Sequence, residues 1–203
     1  MRKYIREFFT FPDIMFACFL FSSGFIYLLF QPNKLIHIGL FLVGGIAFAI
    51  TEYMTHRYLF HLKPPKNKTL HQLLKRLHYQ HHEDPENLKL LFLPAWYFLP
   101  QFILVGAIAY AILGQWGGTV AILTGVIAYH LYYEWKHYIA HRPIKPLTRW
   151  GKSIKRYHLL HHFKNEHYWY GVTNSAMDKI MHTFPKEKEI ETSATVKELD
   201  ASK

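Results

Sequence analysis

Ten of the fifteen histidines stand in four tight clusters. His56 and His61 form H-x4-H, His78, His81 and His82 form H-x2-H-H, His137 and His141 form H-x3-H, and His158, His161 and His162 repeat H-x2-H-H. Imidazole is the commonest metal ligand because, when neutral, it donates a lone pair without bringing a charge. Ten such donors are too many for one ion and suit two. Closed structural sites take four ligands, so about five per ion leaves room for oxygen or substrate. On an α-helix, positions i, i+3 and i+4 share a face. Each triplet therefore presents its histidines together, and His137 and His141 pair as i, i+4. His56 and His61 do not, since five residues at about 100° each put them roughly 140° apart on an ideal helix. That pair is expected to straddle a helix end or to serve two different ions.

The lone Cys18 lies in an apolar run away from the clusters, which excludes iron–sulfur and cysteine-zinc sites and any intramolecular disulfide. Ligand softness admits zinc, iron, copper or nickel. Each cluster sits where an apolar segment meets a basic one, so the reactant expected there is a lipid. Breaking an unactivated C–H bond on an acyl chain is work for iron with dioxygen. Two iron ions are therefore expected, with zinc as an alternative occupant. Ligand imidazoles are usually oriented by carboxylates that accept the other ring N–H, and Glu52, Glu134 and Asp178 are the candidates, weighed equally against salt bridges to nearby cations. His37 and His130 lie in or near apolar runs, where an ionisable residue is a functional candidate by default. His71, His167 and His182 fit no ligand spacing and are expected at the surface or in hydrogen bonds. Of the aromatics near the clusters, Tyr58, Tyr79, Tyr138, Tyr168, Trp169 and Tyr170, most are expected in an interfacial belt, with an acyl channel as the alternative.

The elements that must carry these residues follow from hydropathy. The chain has 203 residues, half of them apolar, and fits one all-α domain. The apolar runs 14–30, 35–55, 90–113 and 119–135 approach the roughly 20 residues a bilayer requires. Of 24 Lys and Arg, only Lys34 falls in the short turns 31–34 and 114–118. The positive-inside rule then places the N-terminus, the segment 56–89 and everything from 136 onward in the cytosol. The expected architecture is an integral membrane protein with four transmembrane helices in two hairpins, under a cytosolic, helical, histidine-rich dimetal cap. Its parts are an interfacial lead-in (1–13), hairpin one (14–55), a first His segment (56–89), hairpin two (90–135), a second His segment (136–185) and a charged tail (186–203) expected to be mobile. Within these, 69–82 is expected as a helix after the Pro64-Pro65 break, and 142–157 as a basic surface helix. The start of the chain carries no cleavable signal, so the first apolar run is expected to stay as an anchor. A net charge of +10 suits anionic headgroups. No nucleic-acid motif is present, and nucleic acid is not an expected partner.

The string His56-Arg57-Tyr58-Leu59-Phe60-His61-Leu62-Lys63-Pro64-Pro65, followed in order by the other three clusters, resembles the fatty acid hydroxylase superfamily, and within it the sphingolipid fatty acid 2-hydroxylases. The resemblance runs from Glu52 to Pro185 and includes Leu90-Leu91-Phe92-Leu93-Pro94, Gly117-Gly118-Thr119-Val120 and Met177-Asp178 leading into His182-Thr183. It implies that the ten clustered histidines hold a dimetal centre. It also implies that oxygen from O2 enters the carbon next to the carbonyl of a free or ceramide-linked fatty acid. Two departures stand out: Tyr79 replaces a common glycine, which would narrow the substrate mouth, and the b-type cytochrome domain fused to many relatives is absent. Electrons are then expected from a separate NAD(P)H-dependent reductase, b-type cytochrome or ferredoxin, and a bacterial inner membrane is expected over the endoplasmic reticulum. A desaturase, sterol oxidase or carotenoid hydroxylase of the same superfamily is the related alternative. A non-catalytic metal-binding or transport protein is the distant one, although transport sites sit near the bilayer midplane and these clusters lie at helix exits.

Overall fold

The computed structural model describes residues 1–201, and among them every regular element is helical. The chain divides into two compact units, Met1–Ala49 with Leu93–Trp135, and Ile50–Phe92 with Lys136–Lys203.

Unit one holds α1 (Arg2–Phe9), α2 (Pro12–Leu29), most of α3 (Lys34–Met54), α7 (Ala95–Leu113) and most of α8 (Trp116–Ala140). Pro12 starts α2 at a position where its missing N–H is no loss. The α2 C-terminus is closed by Lys34, whose Nζ donates to the Leu28 and Leu29 carbonyls at 2.9 and 2.5 Å, a cation at the negative end of a helix dipole. Gly114 ends α7 at φ +63°, the left-handed cap that glycine adopts without strain. Ala17, Phe98, Phe102, Val126 and Ile127 form the core of this unit. Helices α3 and α8 touch backbone to backbone: a Cβ on Gly44 would stand 2.1 Å from the Ile122 carbonyl oxygen, and one on Gly125 would stand 1.9 Å from that of Phe41. Small residues at such crossings are how apolar helices pack closely.

Three stretches are long and apolar enough to cross a membrane: Pro12–Leu29, Lys34–Phe60 and Leu88–Leu113. They leave large apolar side chains exposed, with Leu35 at 85% and Ile112 at 76%, as lipid-facing helices do. The fourth expected run lies in α8, which is 25 residues long but outside that group. His130 and Glu134, with Tyr129, Tyr132 and Tyr133, lower the hydropathy of that run most, and Gly117, Gly118 and Gly125 are positions where neighbouring side chains or helices approach it.

Unit two begins in the last turn of α3, which widens into a π-helical turn over Thr55–Phe60. After the Lys63-Pro64-Pro65 loop, α4 (Lys68–Leu74) starts at Asn67, whose side chain accepts the Leu70 N–H at 2.9 Å. A second π-helical turn, Lys75–Tyr79, leads into α5 (Gln80–Glu83), and α6 (Leu88–Leu91) follows. The end of α8, then α9 (Arg149–Phe163) and α10 (Ala176–Ile180), complete the unit. Pro143 and Pro146 keep 142–148 out of helix, so α9 starts seven residues later than expected, at the Thr148 cap. It keeps Arg149, Trp150, Lys152 and Arg156 at the surface while its other face buries Ile154, His158, His161 and His162. The Lys155 ammonium donates to the carbonyls of Ile139 (2.9 Å), Arg142 (2.6 Å) and Ile144 (3.0 Å), tying the end of α8 to α9.

The described part of the tail packs against unit two. Ser193 N–H donates to the Lys164 carbonyl at 2.8 Å, Val196 and Leu199 are buried, and Asp200 pairs with Lys75 and His71. The Arg156–Glu187 pair and the Ser193 and Thr195 hydroxyls on Glu166 add to these contacts in laying the charged segment against the unit. Residues 202–203 of the tail lie outside the described residues.

Candidate metal centre

The ten clustered histidines all meet in unit two, sorted into two sets of five. The first set is His56, His61, His78, His82 and His161, and the second is His81, His137, His141, His158 and His162. Within each set, one ligand atom per residue lies within 4.8 Å of all the others. The sorting follows a rule. Each set combines one histidine pair (56/61 or 137/141), the i, i+4 members of one triplet (78/82 or 158/162), and the remaining member of the other triplet (161 or 81). The triplets thus exchange one histidine each, and the sets adjoin, with the His82 and His162 rings stacked 4.0 Å apart.

The H-x4-H pair joins a single set because the backbone there is not α-helical. The His61 N–H donates to the His56 carbonyl at 3.2 Å, an i to i+5 bond. A π-helical turn brings i and i+5 onto one face, and such turns are rare and concentrated at functional sites.

Hydrogen bonds fix the tautomers of the first set. Nδ1 of His56 donates to the Tyr170 carbonyl (2.5 Å), that of His82 to the Val196 carbonyl (3.0 Å) and that of His161 to the Tyr168 carbonyl (2.8 Å). A carbonyl only accepts, so these three Nδ1 atoms carry the proton and the three Nε2 atoms are bare lone pairs. Yet Nε2 of His61 lies 3.3 Å from that of His56, 2.8 Å from that of His78 and 2.9 Å from that of His161, and the Nε2 atoms of His78 and His82 are 3.1 Å apart. Only His61 and His78 have a proton to place in those four contacts. A cation among the five nitrogens satisfies all of them at once, so this donor set fits a metal. In the second set, Nε2 of His81 faces that of His137, and Nε2 of His141 faces that of His158, both at 2.9 Å. His162 Nε2 is buried with no hydrogen-bond partner among the described residues.

Burial keeps these rings neutral. It holds His61, His78, His81, His137, His158, His161 and His162 well below the ordinary imidazole range, with neighbouring imidazoles adding to the effect. His82 and His141 are likewise pushed down by burial, each to about 3. Uncharged imidazole is the form that binds metal.

The three candidate carboxylates take other partners. Glu52 Oε1 accepts the N–H groups of Val172 (2.8 Å) and Thr173 (3.0 Å), and Oε2 accepts the Thr173 hydroxyl (2.6 Å). Asp178 Oδ1 accepts from Tyr170 N–H and the Thr183 hydroxyl, and Oδ2 from Gly171 N–H, all at 2.8 Å. Between them they hold the segment 170–173, whose Tyr170 carbonyl receives His56. Their action on the histidines therefore passes through the backbone. Glu134 belongs to unit one, where it accepts the Leu93 N–H at 3.0 Å and lies 3.8 Å from His130. Trp169 sits between the two receiving carbonyls of Tyr168 and Tyr170, fully buried at φ +56°. A bulky residue in that region stores about 1–3 kcal/mol of strain, held here by its N–H on the Thr183 carbonyl (2.9 Å) and its indole on that of Pro185 (3.2 Å).

Tyr79, Tyr138 and Trp169 are fully buried and Tyr170 nearly so, so these four are packing residues and not interfacial ones. The Tyr79 hydroxyl donates to the Leu62 carbonyl and pins the chain just past His61. The backbone carbonyls that fix the tautomers have no sequence signal, since every residue carries one.

Residues 41–183 match the fatty acid hydroxylase family, and the chain belongs to it, as its motifs led us to expect. Human fatty acid 2-hydroxylase is 32% identical over 160 residues, covering 74% of this chain and 40% of the human protein. Dihydroceramide fatty acyl 2-hydroxylase FAH2 of Arabidopsis thaliana is 32% identical over 158 residues, covering 73% and 62%. Ceramide very long chain fatty acid hydroxylase SCS7 of Saccharomyces cerevisiae is 29% identical, covering 75% and 39%. The solved structure of full-length scs7p, with only the hydroxylase domain visible, matches at a TM-score of 0.73 and 25% identity, covering 87% of this chain and 65% of that one. The matched part thus amounts to between 39% and 62% of the length of these curated relatives. All three are eukaryotic, and they lend the expected bacterial inner membrane no support.

Proposed function

We propose that this chain forms the catalytic core of a membrane-bound fatty acyl hydroxylase with two metal ions, one held by each set of five histidines. The observation that carries this reading is the convergence of ten neutral imidazoles on two foci with more lone pairs than protons. Iron is the proposed metal and zinc the alternative occupant; iron with O2 would supply the oxidising power to break an unactivated C–H bond. The chain's own work is to orient the imidazoles and keep them neutral. The Nδ1 donors of His56, His82 and His161 lock their Nε2 atoms toward the first focus, while helices α5, α8 and α9 aim the second set.

The names of the relatives support a free or ceramide-linked fatty acid as substrate and its C2 as the position hydroxylated. Four spans, with α8 as the fourth, and a cytosolic face for both histidine segments and both termini are supported by the distribution of Lys and Arg. The partners proposed are the bilayer, the lipid and a separate electron-transfer protein fed by NAD(P)H. The test is to express the wild type and His161→Ala in one host with a reductase system and compare lipid extracts by mass spectrometry. Acyl species heavier by one oxygen, fragmenting beside the carbonyl and present only with the wild type, are expected. Species lighter by two hydrogens would point to a desaturase, and identical extracts would overturn the enzymatic reading.

A further inference from the structure

A half-enclosed cavity of about 230 Å³ in unit two runs from the surface to the first histidine set. Its mouth is formed by Lys63, which is exposed, and His167, whose side chain is 67% exposed. Its deeper wall carries His61, Tyr79, Glu166 and Thr195. Glu166 is buried. Its Oε1 accepts the hydroxyls of Ser193 (2.9 Å) and Thr195 (2.5 Å) and lies 3.5 Å from His167 Nε2. Its Oε2 is buried with no partner among the described residues. A buried carboxylate oxygen left bare is costly, and such groups are normally satisfied by water or a proton. The cavity has room for several waters at about 30 Å³ each.

The proposed hydroxylation, on which this inference rests, balances as R–H + O2 + 2 e⁻ + 2 H⁺ → R–OH + H2O. The substrate carbon is oxidised, one oxygen atom enters the product and the other leaves as water, and a one-electron donor protein supplies both electrons. The two protons must reach a site whose imidazoles are neutral and, His61 apart, buried, and the cavity, which sets Glu166, His167 and Thr195 beside Leu62 and Leu199, is a way in. We infer that Glu166 carries them. A proton on Oε2 passes to cavity water on the His61 side, breaking the carboxyl O–H bond as a water O–H bond forms, and the carboxylate is reprotonated from solvent at the His167 mouth.

Glu166→Gln keeps an oxygen to accept from Ser193 and Thr195 but has no proton to pass on. Ser193→Ala with Asp200→Asn loosens the tail and leaves the carboxyl in place. In Glu166→Gln, turnover is expected to fall by about 100-fold with a larger solvent deuterium isotope effect, while metal content, unfolding midpoint and amide exchange over 193–199 stay at wild-type values. In the double variant amide exchange should rise while turnover falls by no more than about fivefold and the solvent isotope effect stays at the wild-type value, because the carboxyl that carries the proton is kept. A second readout needs no catalysis: in zinc-loaded protein jumped to acid, loss of one of the two zinc equivalents should slow by about tenfold or more in Glu166→Gln. Unchanged turnover and unchanged zinc loss in Glu166→Gln would overturn the proposal, as would a double variant as impaired as Glu166→Gln. If the wild type yields no hydroxylated lipid, the hydroxylase reading falls, and zinc loss alone still decides whether Glu166 is the proton route.

Discussion

The two histidine sets have the same number and kind of donors, yet they are supported differently. In the first, His56, His82 and His161 give their Nδ1 protons to carbonyls of Tyr170, Val196 and Tyr168, which lie in non-helical segments. In the second, Nδ1 of His81, His158 and His162 is buried with no acceptor among the described residues. Helix packing alone, with Lys155 bridging α8 and α9, aims those rings. A buried donor left unsatisfied costs about 1–3 kcal/mol, whereas a ring whose second nitrogen is hydrogen-bonded is both oriented and more basic toward a metal. The lesson is that ligand count does not set affinity. If the two sets hold metal as proposed, the first should hold its ion more tightly than the second.

The largest effect should come from splitting the sets at adjacent residues. His161 serves the first and His162 the second, so His161→Ala and His162→Ala should each abolish hydroxylation while each retains about one metal equivalent of two. Metal analysis of the purified variants checks this, and a variant that loses both ions would show that the sets are not independent. In the wild type, the first set should bind about 10–100-fold more tightly. A chelator titration followed by metal analysis should therefore remove one equivalent early and one late. His162→Ala should keep the late one, and if it keeps the early one instead, the ranking is reversed.

A smaller and more selective effect is expected at Asp178. Its two oxygens collect Tyr170 N–H, Gly171 N–H and the Thr183 hydroxyl, and Asp178→Asn replaces one of those acceptors with a donor. We expect about 1–3 kcal/mol of lost stability in thermal unfolding. Metal affinity should weaken in the first set, through the Tyr170 carbonyl and His56, with the second set unchanged. Equal weakening of both would mean that segment 168–173 supports the whole unit and not one focus.

The difference between the sets was only partly legible in the sequence. The four clusters and their helices follow from spacing, and three of the four apolar runs coincide with span-length helices. The sorting does not follow, because it depends on a π-helical turn that composition does not announce at His56–His61 and on an exchange between triplets that only tertiary packing decides. The supports are less visible still. Three of them are backbone carbonyls, and one, at Val196, comes from a tail whose charge suggested disorder but whose Val196 and Leu199 find a place in the unit. Glu52 and Asp178 were legible as polar residues near the clusters, but which groups they serve was not. The α8 run was legible as apolar, while the helix contacts that its glycines mark were not.

The support of the first set extends into the tail, where substitutions should act weakly. The Val196 carbonyl that receives His82 is held on one side by Ser193 and Thr195 on Glu166, and on the other by Asp200, whose Oδ2 lies 2.5 Å from Lys75 Nζ. Both members of that ion pair are partly exposed, and exposed pairs contribute about 0–1 kcal/mol and weaken with salt. Asp200→Asn should therefore lower first-set metal affinity by no more than about fivefold at low salt, with the difference from wild type shrinking as salt is raised. Affinity of the second set should not move, because no tail residue touches it among the contacts described. A loss that persists at high salt would mean that Val196 is placed by the ion pair rather than by its own burial, and the support of the first set would then reach the chain's last described turn.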